Sequence, residues 1–115
     1  MNPLNTQNVS WAIGILEGEG CFSIHKRSNR PNTISCAIHC EMTDKDTIES
    51  LQKVFHTGTI CVRQGRENHK DSWIWSVQKQ KDVFDILLQI MPSLSKRRLE
   101  KAQELFSYLE PKVVC

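Results

Sequence analysis

The sequence predicts an α+β fold, an antiparallel sheet of four strands with helices packed on one face. Three observations carry that prediction. Four short segments alternate apolar and polar residues, as half-buried strands do. Three segments repeat apolar residues at helical spacing, and a fourth, near the start, is an apolar run of helical type. Their order is helix, two strands, helix, two strands, helix, helix, so the sheet has one apolar face that the helices must cover. The length of 115 residues suits one domain with a modest core, with residues 1–115 as the domain and its core at about 9–109.

Met1 to Asn8 is polar and reads as extended or loose chain. The first helix is expected from Val9 to Glu17, with Asn8 or Ser10 as its cap. Gly20 suits a left-handed helix terminus. Cys21 to Arg27 alternates, with Phe22 and Ile24 on one side and Ser23, His25 and Arg27 on the other. Ser28 to Asn32 is a turn by composition, with Pro31 as punctuation. Thr33 to Met42 alternates more cleanly, with Ile34, Cys36, Ile38, Cys40 and Met42 inward and Ser35, Ala37, His39 and Glu41 outward. These two strands read as a hairpin.

Thr43 is the expected cap of the second helix, with Asp46 close to a capping box and Ile48, Leu51, Val54 and Phe55 as its apolar stripe. Gly58 ends it. Thr59 to Gln64 is the third strand, with Ile60 and Val62 inward, and Gly65 to Asp71 is a polar turn. Ser72 to Gln78 is the fourth strand, where Trp73, Trp75 and Val77 share the core face. Asp82 to Met91 forms the third helix, stopped by Pro92. Ser93 to Glu110 forms the last one, stopped by Pro111 and followed by a short tail.

A net charge of +2 is only weakly basic and does not by itself indicate a nucleic-acid binder. No apolar run reaches membrane-helix length, so a membrane partner is not expected, and Met1 to Ser10 does not read as a signal peptide. The cysteines are Cys21, Cys36, Cys40, Cys61 and Cys115. An odd number without zinc-type spacing fits buried, reduced thiols and an intracellular setting.

The informative stretch is Trp11 to Phe22, WAIGILEGEGCF. Its apolar helix delivers two acids, Glu17 and Glu19, to its own C-terminal end. Negative charge there opposes the helix macrodipole, so something positive is expected to meet it. A divalent cation is the natural candidate, since hard cations take carboxylate and carbonyl oxygen. Gly14 and Gly18 are four apart and lie on one helix face. Each costs about 1 kcal/mol of helix stability against alanine, a cost that close approach of another helix offsets.

The stretch Ala12 to Gly20, AIGILEGEG, resembles the LAGLIDADG motif of homing endonucleases. Gly14, apolar Ile15 and Leu16, the acids Glu17 and Glu19, and Gly20 all match it. The departures are Ile13, where a small residue is usual, and glutamate in place of aspartate at both acids. The resemblance extends over about residues 9 to 106, since that family's αββαββα domain has the same element order. It implies a saddle whose sheet lies in the DNA major groove. The DNA-contacting residues would be Ser23, His25, Arg27, Arg30, Ser35, His39, Arg63, Arg66 and Lys70. It implies Glu19 as metal ligand, joined by Gly18, and Lys96 or Arg97 as the catalytic cation beside the scissile phosphate. A single motif in a short chain resembles the homodimeric branch, with Trp11, Gly14, Ile15 and Gly18 at the dimer interface and two Glu19 carboxylates near the dyad.

The activity so implied is site-specific hydrolysis of both strands of a long pseudo-palindromic site. Mg²⁺ is the expected cofactor, with Ca²⁺ binding without supporting cleavage. The alternative is a non-cleaving intron-splicing maturase or DNA-binding regulator on the same scaffold. A glycosidase using Glu17 and Glu19 is disfavoured, because acids two residues apart cannot readily flank a sugar bond at separations of ~5 Å or more. A pure interaction module leaves the Glu-Gly-Glu placement without a reason.

Overall fold

The computed structural model describes residues 6–26 and 34–114, with side chains described for 8–25 and 35–111. The element order is α1 (Thr6–Glu19), β1 (Gly20–Lys26), β2 (Ile34–Met42), α2 (Lys45–Phe55), β3 (Thr59–Arg63), β4 (Ser72–Val77), α3 (Gln80–Ile90), a 3-10 turn (Met91–Ser93) and α4 (Lys96–Val114). The expected α+β architecture is therefore present, element for element. The turn expected at residues 28–32, with Arg27 and Arg30, lies outside the described residues.

All strand pairs are antiparallel, in the order β1-β2-β4-β3. The register sets the two faces. Phe22 opposes Ile38, Cys40 opposes Trp75, and Ile60 also opposes Trp75. These residues look toward the helices. The core combines them with Ala12 and Leu16 of α1, Ile48 and Leu51 of α2, Val83, Leu87 and Ile90 of α3, and Ala102, Leu105 and Leu109 of α4. Trp75 is its largest fully buried side chain. It stacks on Phe55 with ring centroids 5.6 Å apart and donates its indole N–H to the Thr57 carbonyl at 3.0 Å. Gly58 is required there, since its φ of 102° is left-handed and an added Cβ would run into the Trp75 indole.

Several boundaries differ from the sequence reading, each for a physical reason. The first helix runs two residues past Glu17, and its start at Thr6 places Asn8 and Ser10 inside it rather than at its cap. Gly20 is not a left-handed terminus: among the described residues the positive-φ positions are His56, Gly58 and Asn68. Its need for glycine is steric, because an added Cβ would lie 2.5 Å from the Leu16 carbonyl oxygen. Asp44, not Thr43, caps α2, accepting from the Asp46 N–H at 3.1 Å and the Thr47 hydroxyl at 2.8 Å.

Val62 is on the apolar side, opposite Trp73, but is 54% exposed. It lies on edge strand β3, where the helix layer gives less cover. Pro111 does not stop α4, which continues to Val114. It is exposed and near the helix end, where a carbonyl released from its hydrogen bond can be hydrated. The cysteines are not all buried: Cys36 and Cys40 are, but Cys21 and Cys61 are exposed. Odd-numbered positions on β1 and β3 face away from the helices. Among the described residues no helix is long and apolar enough to cross a membrane.

Candidate active site at the end of the first helix

Two acids leave the end of α1 in different directions. Glu17 turns to the start of α4. Its carboxylate accepts from the Ser95 N–H at 2.5 Å and from the Ser95 hydroxyl at 2.8 Å. The first helical N–H groups have no partner within their own helix, so Glu17 completes the N-terminus of α4 from another element. These two bonds, with the positive charges of Arg98 and Arg97, hold its carboxyl below the usual carboxylate range. The helix N-terminus also favours negative charge.

Arg98 works in the opposite sense. Its Nε donates to the Glu17 carbonyl at 3.1 Å, and its Nη1 donates to the Gly20 carbonyl. Those carbonyls stand where α1 ends, and a helix C-terminus favours a cation. The positive group that the acid placement calls for is thus in part Arg98. The basic run Lys96-Arg97-Arg98 at the start of a helix opposes the dipole and does not read as stabilising from sequence. Yet Arg98 binds two carbonyls at the end of α1, and Ser95 is absent from the predicted site. Ser95 carried a usable signal, a serine immediately before a helical run. Arg98 carried no signal that set it apart from Lys96 and Arg97.

The lowered Glu17 pKa gives a pH prediction. The folded value lies below the unfolded one, so the clamp's stabilisation is fully present above the ordinary carboxylate pKa. It is lost as pH falls through the folded value. Denaturant unfolding of native chain and Glu17→Gln is expected to show a stability difference at neutral pH that narrows in acid. An equal difference at both pH values would argue against a role for the charge.

Glu19 points elsewhere. It is exposed and lines a cleft of about 470 Å³ together with Glu41, Met42, Thr43 and Ser72. Glu19 directly precedes Gly20, which opposes Cys40 in the β1–β2 ladder, and burial together with the Glu19 charge pushes the Cys40 thiol up to about 11. Among the described residues no three acidic, histidine or cysteine side chains form a metal-binding group. One chain offers the exposed Glu19 carboxylate and the backbone carbonyls of the last turn of α1, Gly18 among them. These are oxygen donors of the type hard cations take. Lys96 and Arg97 are both exposed at the start of α4. The charge of Arg97 contributes to lowering the Glu17 pKa.

The face of the sheet away from the helices carries the other predicted contacts. Ser23 and His25 lie on it in β1, Ser35 and His39 in β2, and Arg63 in β3. The Ser23 hydroxyl and the His25 Nε2 are 3.3 Å apart, and the His39 Nδ1 is 3.1 Å from the Ser76 hydroxyl. Burial and the charge of His25 lower the pKa of His39. Arg63, Arg66 and Lys70, with Gln64 and His69, line a second cleft of about 650 Å³. The two clefts share Glu41, Thr43 and Ser72, so the acidic end of α1 and the basic β3–β4 turn border one continuous surface.

The face of α1 expected to be a dimer interface is open. Gly14 and Gly18 are exposed, a Cβ at either meets nothing within 4 Å, and Trp11 is 40% exposed. Ile15 is half-buried and packs partly on the chain's own core.

The family model described as LAGLIDADG endonuclease matches residues 12–108. No sequence among characterised proteins gives a significant match. Among solved structures, the homing endonuclease I-CvuI in complex with its target in the presence of calcium superposes with a TM-score of 0.70 at 16% identity, covering 96% of this chain and 76% of that one. I-CvuI with the I-CreI target and magnesium, its DNA not cleaved, gives 0.68 at 17% identity, with the same coverage of 96% and 76%. I-GzeII in complex with its DNA target gives 0.73 at 17% identity, covering 96% of this chain and 38% of that one. At these identities the likeness is one of fold.

Proposed function

We propose, since the chain belongs to the LAGLIDADG endonuclease family, that it is a homodimeric, site-specific double-strand DNA endonuclease dependent on a divalent metal. The observation that carries the reading is the exposed Glu19 carboxylate at the end of α1, opening into a cleft continuous with the basic sheet face. Structural neighbours solved with DNA and with calcium or magnesium support it.

The open glycine face of α1 supports the dimer. Gly14 and Gly18 answer no steric demand within the chain, yet each weakens the helix. A second helix lying against that face supplies the demand, and two-fold pairing brings two Glu19 carboxylates together. They repel unless a cation lies between them. Glu19 and the Gly18 carbonyl would hold Mg²⁺, whose chemistry, when bound, would be to activate water and to offset charge at the phosphate. Arg97 or Lys96 adds positive charge beside the phosphate. Arg63, Arg66 and Lys70 hold the backbone, while Ser23, His25, Ser35 and His39 face base edges. Two-fold symmetry makes the target pseudo-palindromic.

The test is cleavage of a randomised, palindrome-biased duplex library by the native chain in Mg²⁺ and in Ca²⁺. Double-strand cuts in Mg²⁺ at one enriched site, with binding alone in Ca²⁺, are expected. Selective binding without cleavage in either metal would replace this reading with a non-cleaving maturase or regulator.

A further inference from the structure

Glu41 is an acid on a face otherwise suited to a polyanion, and the reading above leaves it without a task. It projects from β2 on the open side of the sheet, opposite Ile74 of β4. Two neighbours fix it. The Ser72 hydroxyl donates to Oε2 at 2.6 Å, and the Arg63 Nη1 lies 3.4 Å from Oε1. Ser72 is buried, whereas the Glu41 side chain remains 37% exposed. A carboxylate has about four acceptor sites, so sites remain free toward the open face. Glu41 also lines both the Glu19 cleft and the basic cleft.

We propose that Glu41 is a specificity-determining residue that reads a cytosine in the DNA major groove. A fixed carboxylate on this face repels phosphates and gains only where a donor meets it. The major-groove edges offer two such donors, the exocyclic amines of cytosine and adenine. Adenine places the N7 lone pair beside its amine, which repels a second carboxylate oxygen. Cytosine has a C–H there, so the carboxylate accepts from cytosine N4 without penalty. Ser72 holds the carboxylate in one orientation before the duplex arrives, which lowers the ordering cost of the contact. Arg63 keeps unused N–H donors and stands beside it to meet an adjacent phosphate. Because Glu41 shares the Glu19 cleft, the cytosine lies in the inner part of each half-site, near the scissile bonds.

This inference rests on the DNA-endonuclease reading, and the experiment separates the two. Native chain, Glu41→Gln and Ser72→Ala are each selected against a randomised duplex library in Ca²⁺, and the enriched sequences are compared position by position. Thermal unfolding confirms that each variant folds. The native chain is expected to prefer cytosine about tenfold or more at one inner, symmetry-related pair of positions. Glutamine both donates and accepts, and pairs well with adenine N6 and N7. Glu41→Gln is therefore expected to move that preference to adenine and leave other positions unchanged. Ser72→Ala is expected to weaken the cytosine preference without redirecting it. A Glu41→Gln profile identical to the native one overturns the inference and leaves the endonuclease reading standing. So does a uniform loss of affinity at all positions, which marks a purely structural acid. Absence of selective duplex binding by the native chain overturns both.

Discussion

Glu19→Gln is expected to abolish DNA cleavage while the variant folds and binds its site. The carboxylate is exposed at the end of α1, and glutamine has nearly the same helix propensity and shape. Removing an acid from a helix C-terminus also removes an unfavourable interaction with the macrodipole. No structural cost is therefore expected. The chemical cost is large, because the substitution takes from the proposed metal its one anionic ligand from each chain. Loss of one group that stabilises transition-state charge lowers turnover by roughly 10²–10³, and a homodimer loses two. Cleavage of a supercoiled plasmid carrying the selected site, read beside gel-shift binding in Ca²⁺, checks this. Native-rate cleavage by Glu19→Gln would remove Glu19 from the mechanism.

The second large effect concerns the open face of α1. Gly18→Leu is expected to leave the chain folded, since a Cβ at this position meets nothing within 4 Å and leucine favours helix over glycine. A leucine there keeps a second helix from approaching closely. The variant is expected to sediment as a monomer where the native chain is a dimer. Losing two-site engagement weakens binding to the full site by about 10²–10⁴-fold, and coordinated cutting of both strands goes with it. A dimer of native affinity in Gly18→Leu would place the subunit contact on another face.

The strands were legible because alternation at period two is strong where one face is buried. Ile34 to Met42 shows it with one exception, the small, buried Ala37 on the outward side, and the structure pairs β2 with β1 and β4 along that segment. Helix ends were less legible because competing signals stand close together. Thr43 and Asp44 are both capping residues, and only the backbone conformation decides between them. Glycine is an ambiguous letter for the same reason: it serves a left-handed turn at Gly58 and a close backbone approach at Gly20. Proline at 111 reads as a stop, but an exposed helix end tolerates it.

In the candidate site, the acids were visible, and the family resemblance set Glu19 apart as the metal ligand, but the task of Glu17 was not legible. The sequence places Glu17 and Glu19 at one end of one helix. Ser95, 78 positions away in sequence from Glu17, decides that the first acid is a structural clamp. Partnerships of that kind arise from tertiary packing and leave no local pattern. Glu41 was legible as an outward residue, but its hydrogen bond to Ser72 follows from β2–β4 pairing across a gap of 31 residues.

Gly20 has a mechanical consequence. Helix α1 ends at Glu19 and strand β1 starts at the next residue, a glycine with no room for a Cβ beside the Leu16 carbonyl. No slack chain separates the lever from the platform. In the proposed enzyme, the strand that grips the groove and the acid that addresses the phosphate belong to one stiff bracket. A duplex seated a step out of register carries its phosphate off the acid by the same step, with no flexible segment to absorb the error. Discrimination at the cutting step then follows from misalignment alone, without a closing movement to enforce it.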